Sequence, residues 1–222
     1  MNLSDILKGT VLVLCSCVMC SAAAIVYKGD QVAEKLANSN NADAAHDTSL
    51  QAATFLEPDV NNLLWAHNSK RALHYNTPSL SWDNTLRQYA EDQVRSLIGT
   101  EYDPCTFRLK HSYGPYGENI GTIGSSARYP RADEVVNAWY EEIKYYNFND
   151  VTGTVHNGYD VGHFTQLVWA DTTKVGCAVV TCRSQYYFVY TLCEYSPPGN
   201  VLDGTPGIDT YHIFKENVRG LI

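Results

Sequence analysis

Lys174–Glu194, KVGCAVVTCRSQYYFVYTLCE, carries two runs rich in Val, Tyr and Phe separated by a short polar break. β-Branched and aromatic residues favour strands and the break favours a turn, so the stretch reads as a hairpin pairing Lys174–Thr181 with Tyr186–Glu194. Valine, cysteine and aromatic residues occupy both faces of each run. A sheet that is apolar on both sides has to be covered on both sides. The rest of the chain supplies several helical patterns, so the sequence predicts an α+β domain: a three-layer α-β-α sandwich with a central antiparallel sheet.

The same hairpin bears on the cysteines. The chain begins with a short leader, residues 1–24. MNLSDILKG carries one lysine, TVLVLCSCVMC is an apolar run of the length of a signal core, and SAAA supplies small residues for cleavage after Ala24. A membrane-spanning helix needs about 20 apolar residues, more than this run holds, and no second long run follows, so no transmembrane anchor is expected. Removal of the leader takes away Cys15, Cys17 and Cys20 and leaves Cys105, Cys177, Cys182 and Cys193. Four cysteines behind a signal peptide read as two disulfides in an oxidising compartment, with three pairings open. If the hairpin pairs as written, Cys177 falls nearly opposite Cys193, and Cys182, near the turn, is left to reach Cys105. A zinc site made of the four thiolates would want closely spaced CxxC pairs, and there are none.

Residues 25–54 are rich in Ala, Asn, Asp, Ser and Gln, with few large apolar side chains. Such a segment buries too little surface to offset its ordering entropy and reads as a disordered linker. Residues 55–222 have the length of one domain with a good core. With 16 basic and 24 acidic residues the formal charge is −8, which argues against nucleic acid as a partner.

Within the domain, helix one is expected over Pro58–Leu73, with Val60, Leu63, Leu64, His67 and Arg71 at helical spacing. Helix two is expected over Asp83–Ile98, capped by Ser81 or Asp83 and ended by Gly99. ENIGTIG is a candidate short strand. Helix three is expected over Arg131–Tyr146, where Val135, Val136, Trp139, Ile143 and Tyr146 share a face. Glu142 lies within that face and Glu141 is turned about 100° away. A short helix is expected over His163–Trp169, and the Pro/Gly-rich tail from Ser196 is expected to wrap the surface.

No HExxH, GxSxG or Walker pattern is present. Oxidised cysteines offer no nucleophile, so the chain is not read as an enzyme. The polar residues that stand out are His111, Glu118, Glu142 and His163, each beside glycines or on an apolar face. Two imidazoles and two carboxylates suit a divalent ion such as zinc or magnesium, or equally a buried hydrogen-bonded cluster.

GHFTQLVW followed by VGCAVVTC, YFVYTLCEYSPPGN, AHNSKRAL and YGENIG occur in this order, and together they resemble the signatures of the CAP superfamily: cysteine-rich secretory proteins, antigen 5 and plant pathogenesis-related class 1 proteins. HNSKRALH, HSYGPYGENI and AWYEEIKYY are most similar to the secreted yeast-type fungal members, known as sterol- and fatty-acid-binding export proteins. The resemblance implies an α-β-α sandwich with a central cleft, places His111, Glu118, Glu142 and His163 there as a tetrad able to hold zinc or another divalent ion, and leaves His67 as a framework residue. It also implies the pairs Cys177–Cys193 and Cys105–Cys182. Yeast-type members bind sterol through an aromatic-x-aromatic-x4-aromatic loop after helix three. Tyr146 and Phe148 fit its first two positions, Gly153 falls on the third, and Val155 and Tyr159 are nearby substitutes. Fatty acid lies in relatives between helix one and the His163–Trp169 segment.

The resulting expectation is a secreted lipid-binding protein for sterol or fatty acid. An extracellular host-interaction or defence protein is the alternative, and a metal-dependent hydrolase a more distant one. The acidic linker also allows retention in the cell wall.

Overall fold

The computed structural model describes residues 12–15, 23–26, 53–183 and 186–222. The expected leader and linker therefore fall largely outside the described residues. Only the backbones of β1 (Leu12–Cys15) and β2 (Ala23–Val26), together with residues 53 and 54, belong to them.

The architecture is the expected α+β sandwich. Its centre is a seven-stranded sheet in the order β2-β1-β5-β9-β8-β3, with β5 at Gly117–Ser125, β9 at Tyr187–Ser196, β8 at Lys174–Arg183 and β3 at Thr54–Leu56. β4 (Ser81–Trp82) lies parallel to the start of β8. The expected hairpin forms and is longer at both ends, with Cys177 directly opposite Cys193. Both expected disulfides are present, Cys177–Cys193 and Cys105–Cys182. The stretch read as a short strand is a nine-residue strand, β5, paired along its whole length with β9.

Alternation along the strands splits the sheet into two faces. Val175, Cys177, Val179, Val189, Cys193 and Tyr195 face one layer of helices. That layer holds α1 (Val60–Arg71), α3 (Ala132–Tyr140), α4 (Gly162–Leu167) and α5 (His212–Asn217), the last buried through Phe214 against Trp169. Ala178, Val180, Tyr190, Leu192 and Ile120 face α2 (Asn84–Leu97) and its buried Ala90 and Val94. Gly176 is on this second face, where any Cβ would overlap the backbone of Asp83 and Arg87.

Two helix boundaries differ from expectation. Helix α1 starts at Val60, because Asp59 is its cap and not a first-turn residue: its carboxylate accepts the Asn62 N–H at 3.0 Å. Helix α3 ends at Tyr140 and tightens into a 3-10 turn over Glu141–Tyr145. At three residues per turn, Glu142 stays beneath Trp139, so it is buried and Glu141 exposed. Helix α2 is capped by Asp83, which accepts from the N–H groups of Thr85 and Leu86, and ends before Gly99 at φ +76°. The tail carries α5 and is not a mere surface strap.

Candidate functional site

The four candidate residues form two imidazole–carboxylate pairs. Glu142 leaves the 3-10 turn after α3 and meets the start of α4. Its Oε1 accepts from His163 Nδ1 at 2.7 Å, and its Oε2 accepts the backbone N–H groups of His163 and Phe164 at 3.0 and 3.1 Å. The His163 ring stacks on Trp139, 5.9 Å between centroids at an interplanar angle of 6°. Asn119 comes to the same place from β5 and donates to the His163 carbonyl at 3.1 Å.

The second pair is His111 with Glu118. Glu118 Oε1 stands 2.5 Å from His111 Nδ1, and both carboxylate oxygens accept the Ser112 N–H at 3.2 Å. Glu118 is next to Asn119 on β5, so the two side chains go to opposite faces of the sheet. Asn119 and the His163–Glu142 pair are on the α1/α3 face, and Glu118 is on the α2 face.

A histidine whose Nδ1 engages a carboxylate has its ring oriented as metal-ligating histidines commonly do. Among the described residues no three His, Cys, Asp or Glu side chains form a group that could hold a metal.

One residue absent from the sequence-level set belongs to the same neighbourhood. Glu194 lies directly across from Glu118 in the β5–β9 register and on the same face. It is 0% exposed. Burial, followed by the adjacent Glu118 charge and a side-chain hydrogen bond with Glu118, pushes its pKa up to about 9, so the acid is neutral at pH 7. The signal in the sequence is a lone carboxylate inside an apolar strand, next to Cys193; its parity with Glu118 appears only once the register is known.

His67 is a framework residue. Its Nδ1 donates to the Leu63 carbonyl at 2.7 Å and its Nε2 accepts from the Tyr195 hydroxyl at 2.8 Å.

Tyr146 and Phe148, expected on a sterol-binding loop, are part of an internal aromatic cluster. Tyr146 is 7% exposed and packs on His156, Phe148 and Phe164 at 4.3, 4.8 and 5.3 Å. Burial raises its pKa, and its hydroxyl has no partner. Phe148 is half-buried between His74 and Phe164. The outward aromatic is Tyr159, on the small hairpin of β6 (Val155–His156) and β7 (Tyr159–Asp160); it is 51% exposed and stacked on Tyr145 at 4.1 Å and 3°. A cavity of about 170 Å³ opens elsewhere, between the N-terminal ends of α1 and α3 and the sheet, lined by Leu56, Leu63, Ala132, Val179 and Val189. Pockets for drug-sized ligands hold ~300–1,000 Å³, so this one admits only a small group.

Residues 64–195 match the cysteine-rich secretory protein family, CAP. Repressed by EFG1 protein 1 of Candida albicans is 43% identical over 156 residues, 70% of this chain and 52% of that protein. Secreted protein RBT4 of the same species is 39% identical over 146 residues, 65% of this chain and 36% of that protein. The chain thus spans about half or less of the length of these fungal relatives. Among solved structures, NaASP2 with Zn2+ aligns over 66% of this chain and 83% of its own, at 24% identity and a TM-score of 0.47.

Proposed function

The chain belongs to the cysteine-rich secretory protein family, CAP, and from that premise we propose that it is a secreted protein that binds sterol, or a fatty acid, outside the cell. The observation that carries this reading is the aromatic ledge after α3: the exposed Tyr159 stacked on Tyr145, above the packed group Tyr146, Phe148 and Phe164. Aromatic faces with little polar competition favour a flat apolar ligand, at ~25 cal/mol per Å² of apolar area covered. The ledge stands on a sandwich clamped by two disulfides, so its hairpin can move without loosening the core. With the cavity near α1 and α3 too small for a sterol, the reading requires the β6–β7 hairpin to open and cover the ligand. Secretion agrees with the leader pattern and with the name of the RBT4 relative. The reading assigns the protein no reaction, and it includes a divalent ion, zinc or magnesium, at one of the two His–Glu pairs.

Titration of the purified protein with labelled cholesterol and labelled palmitate tests it. Saturable binding that weakens at least tenfold in Tyr159→Asp, with unchanged thermal unfolding, supports the carrier. Absence of saturable binding of either lipid by the folded protein removes it.

A further inference from the structure

His156 stands on β6, within the loop 147–160 that carries the aromatic ledge, and is 1% exposed. Its ring is bonded to the other limb of the same loop. Nδ1 takes the Asn147 N–H at 3.1 Å, and Nε2 faces the Thr152 N–H at 3.4 Å and the Gly153 carbonyl. The ring also lies on Tyr146, 4.3 Å between centroids. A neutral imidazole has one acceptor nitrogen, so in either tautomer it accepts one of the two N–H groups. An imidazolium accepts neither and sets its own N–H groups against both. Protonation therefore removes the bond that joins the two limbs and places a charge against a buried aromatic ring. The β6–β7 hairpin pairs only two residues in each strand, and a ribbon that short is marginal by itself.

We propose that His156 is a proton-operated latch: while neutral it holds the loop shut over Tyr146, Phe148 and Phe164, and in mildly acidic surroundings it releases the loop and opens that cluster to a ligand. What the opening admits rests on the reading above that the ledge takes a flat apolar lipid; the latch itself does not. The charges around the ring leave it the group that switches. On its own loop, Asp150 favours the imidazolium, and Asp160 pairs with Val155 and so points to the other side of the hairpin from His156. The turn after α3 contributes Tyr146, whose hydroxyl burial keeps neutral, and Lys144, which lies over Tyr145. Helix α4 contributes the apolar Phe164. Beyond Phe148 and Phe164, His74 is held by the Arg219 carbonyl and the Tyr140 hydroxyl. Burial outweighs the Gly153 hydrogen bond and the Asp150 charge, and lowers the pKa of His156 from 6.5 in the closed loop. In the open loop the ring regains water and its ordinary value. The open form then binds more protons, so closure is complete above pH 6.5 and is lost progressively as the pH falls below it.

The experiment is amide hydrogen exchange of the purified full chain at pH 7 and pH 5, corrected for the intrinsic pH dependence of exchange, on wild type and His156→Gln. The glutamine oxygen accepts the Asn147 N–H and does not titrate. The expected result is that protection of residues 147–156 in wild type falls at least tenfold at pH 5 while β8 and β9 keep theirs, and that His156→Gln stays within about twofold between the two pH values. Unchanged protection in wild type, or an equal loss in His156→Gln, overturns the latch. If His156→Gln does not fold, NMR titration of the wild-type His156 ring decides: a ring midpoint that coincides with loop opening supports the latch, and a ring still neutral in the open loop overturns it. Labelled cholesterol and palmitate separate the two readings. A loop that opens with His156, in a chain that binds neither lipid at either pH, supports the latch and removes the carrier.

Discussion

The His67 imidazole and the Tyr195 hydroxyl, 128 residues apart, meet at 2.8 Å and tie α1 to the C-terminal end of β9. With Nδ1 donating to the Leu63 carbonyl, Nε2 has to accept, so the ring is neutral. Burial, reinforced by the neighbouring Arg71 charge and partly opposed by the Leu63 hydrogen bond, depresses its pKa from 6.5 to about 4. Between these two values the unfolded chain binds more protons than the folded one. Stability from this group is therefore complete above pH 6.5 and is lost as pH falls toward 4, by up to ~1.4 kcal/mol per pH unit. Urea unfolding at pH 7 and pH 4.5 measures it. His67→Gln should be less stable at pH 7 and should lose less on acidification; a variant that loses as much as wild type would show that another group carries the acid sensitivity.

Arg71 makes a stronger prediction. Its guanidinium is 0% exposed and donates to the carbonyls of Pro78, Leu167, Trp169 and Thr172 at 2.7 to 3.0 Å. It holds the end of α1 to the loop that leads into β8, with backbone oxygens as its partners. Arg71→Met removes every donor and leaves those carbonyls in a dry interior. The expected cost is ~3–5 kcal/mol, read as a large drop in the urea midpoint. Arg71→Lys restores the charge without the planar fork and should recover only part of the loss.

At Gly176 the sheet comes close to the backbone at the start of α2. A methyl group there overlaps the Asp83 carbonyl and the Arg87 nitrogen, and backbone cannot step aside as a flexible side chain can. Gly176→Ala is expected to destabilise by ~1–3 kcal/mol through overpacking. Differential scanning calorimetry checks it, and an unchanged melting temperature would mean that α2 does not pack where it is described.

Much of this was readable in the chain because the deciding signals are local. Valine and aromatic content marks β8 and β9, the 16-residue separation of Cys177 and Cys193 suits a hairpin rung, and the Trp139-plus-three spacing puts Glu142 inside and Glu141 outside. What was hidden depends on register between distant segments. The sequence places Glu118 and Glu142 on separate elements but does not say that β5 sends Glu118 to the α2 face while Asn119 faces His163. Glu194 is hidden for the same reason, since part of its raised pKa comes from the Glu118 opposite it. Tyr146 fits both the packed face of helix three and the aromatic pattern it shares with Phe148, and the sequence does not choose between them; the turn of the chain after α3 folds it inward onto Phe164.

The two disulfides should differ in what they contribute, and the topology says which matters more. Cys177–Cys193 joins residues that the β8–β9 ladder already holds opposite one another, across 16 residues of chain. Cys105–Cys182 joins the Pro104–Thr106 turn to the end of β8, across 77 residues, and is on the α2 face. In the chain-entropy account, closing these loops in the unfolded state is worth about 3 and about 4.5 kcal/mol respectively. Both half-cystine pairs are buried, so alanine, which leaves no unsatisfied hydroxyl, is the replacement to use. Cys105→Ala with Cys182→Ala should therefore lower stability more than Cys177→Ala with Cys193→Ala, by ~1.5 kcal/mol on the same account, in urea unfolding at neutral pH. The order would reverse if the Pro104–Thr106 turn stayed docked on β8 through its apolar contacts in the unfolded ensemble, because the bridge would then constrain little. A measured reversal would thus relocate the main clamp to the β8–β9 hairpin and its Cys177–Cys193 rung.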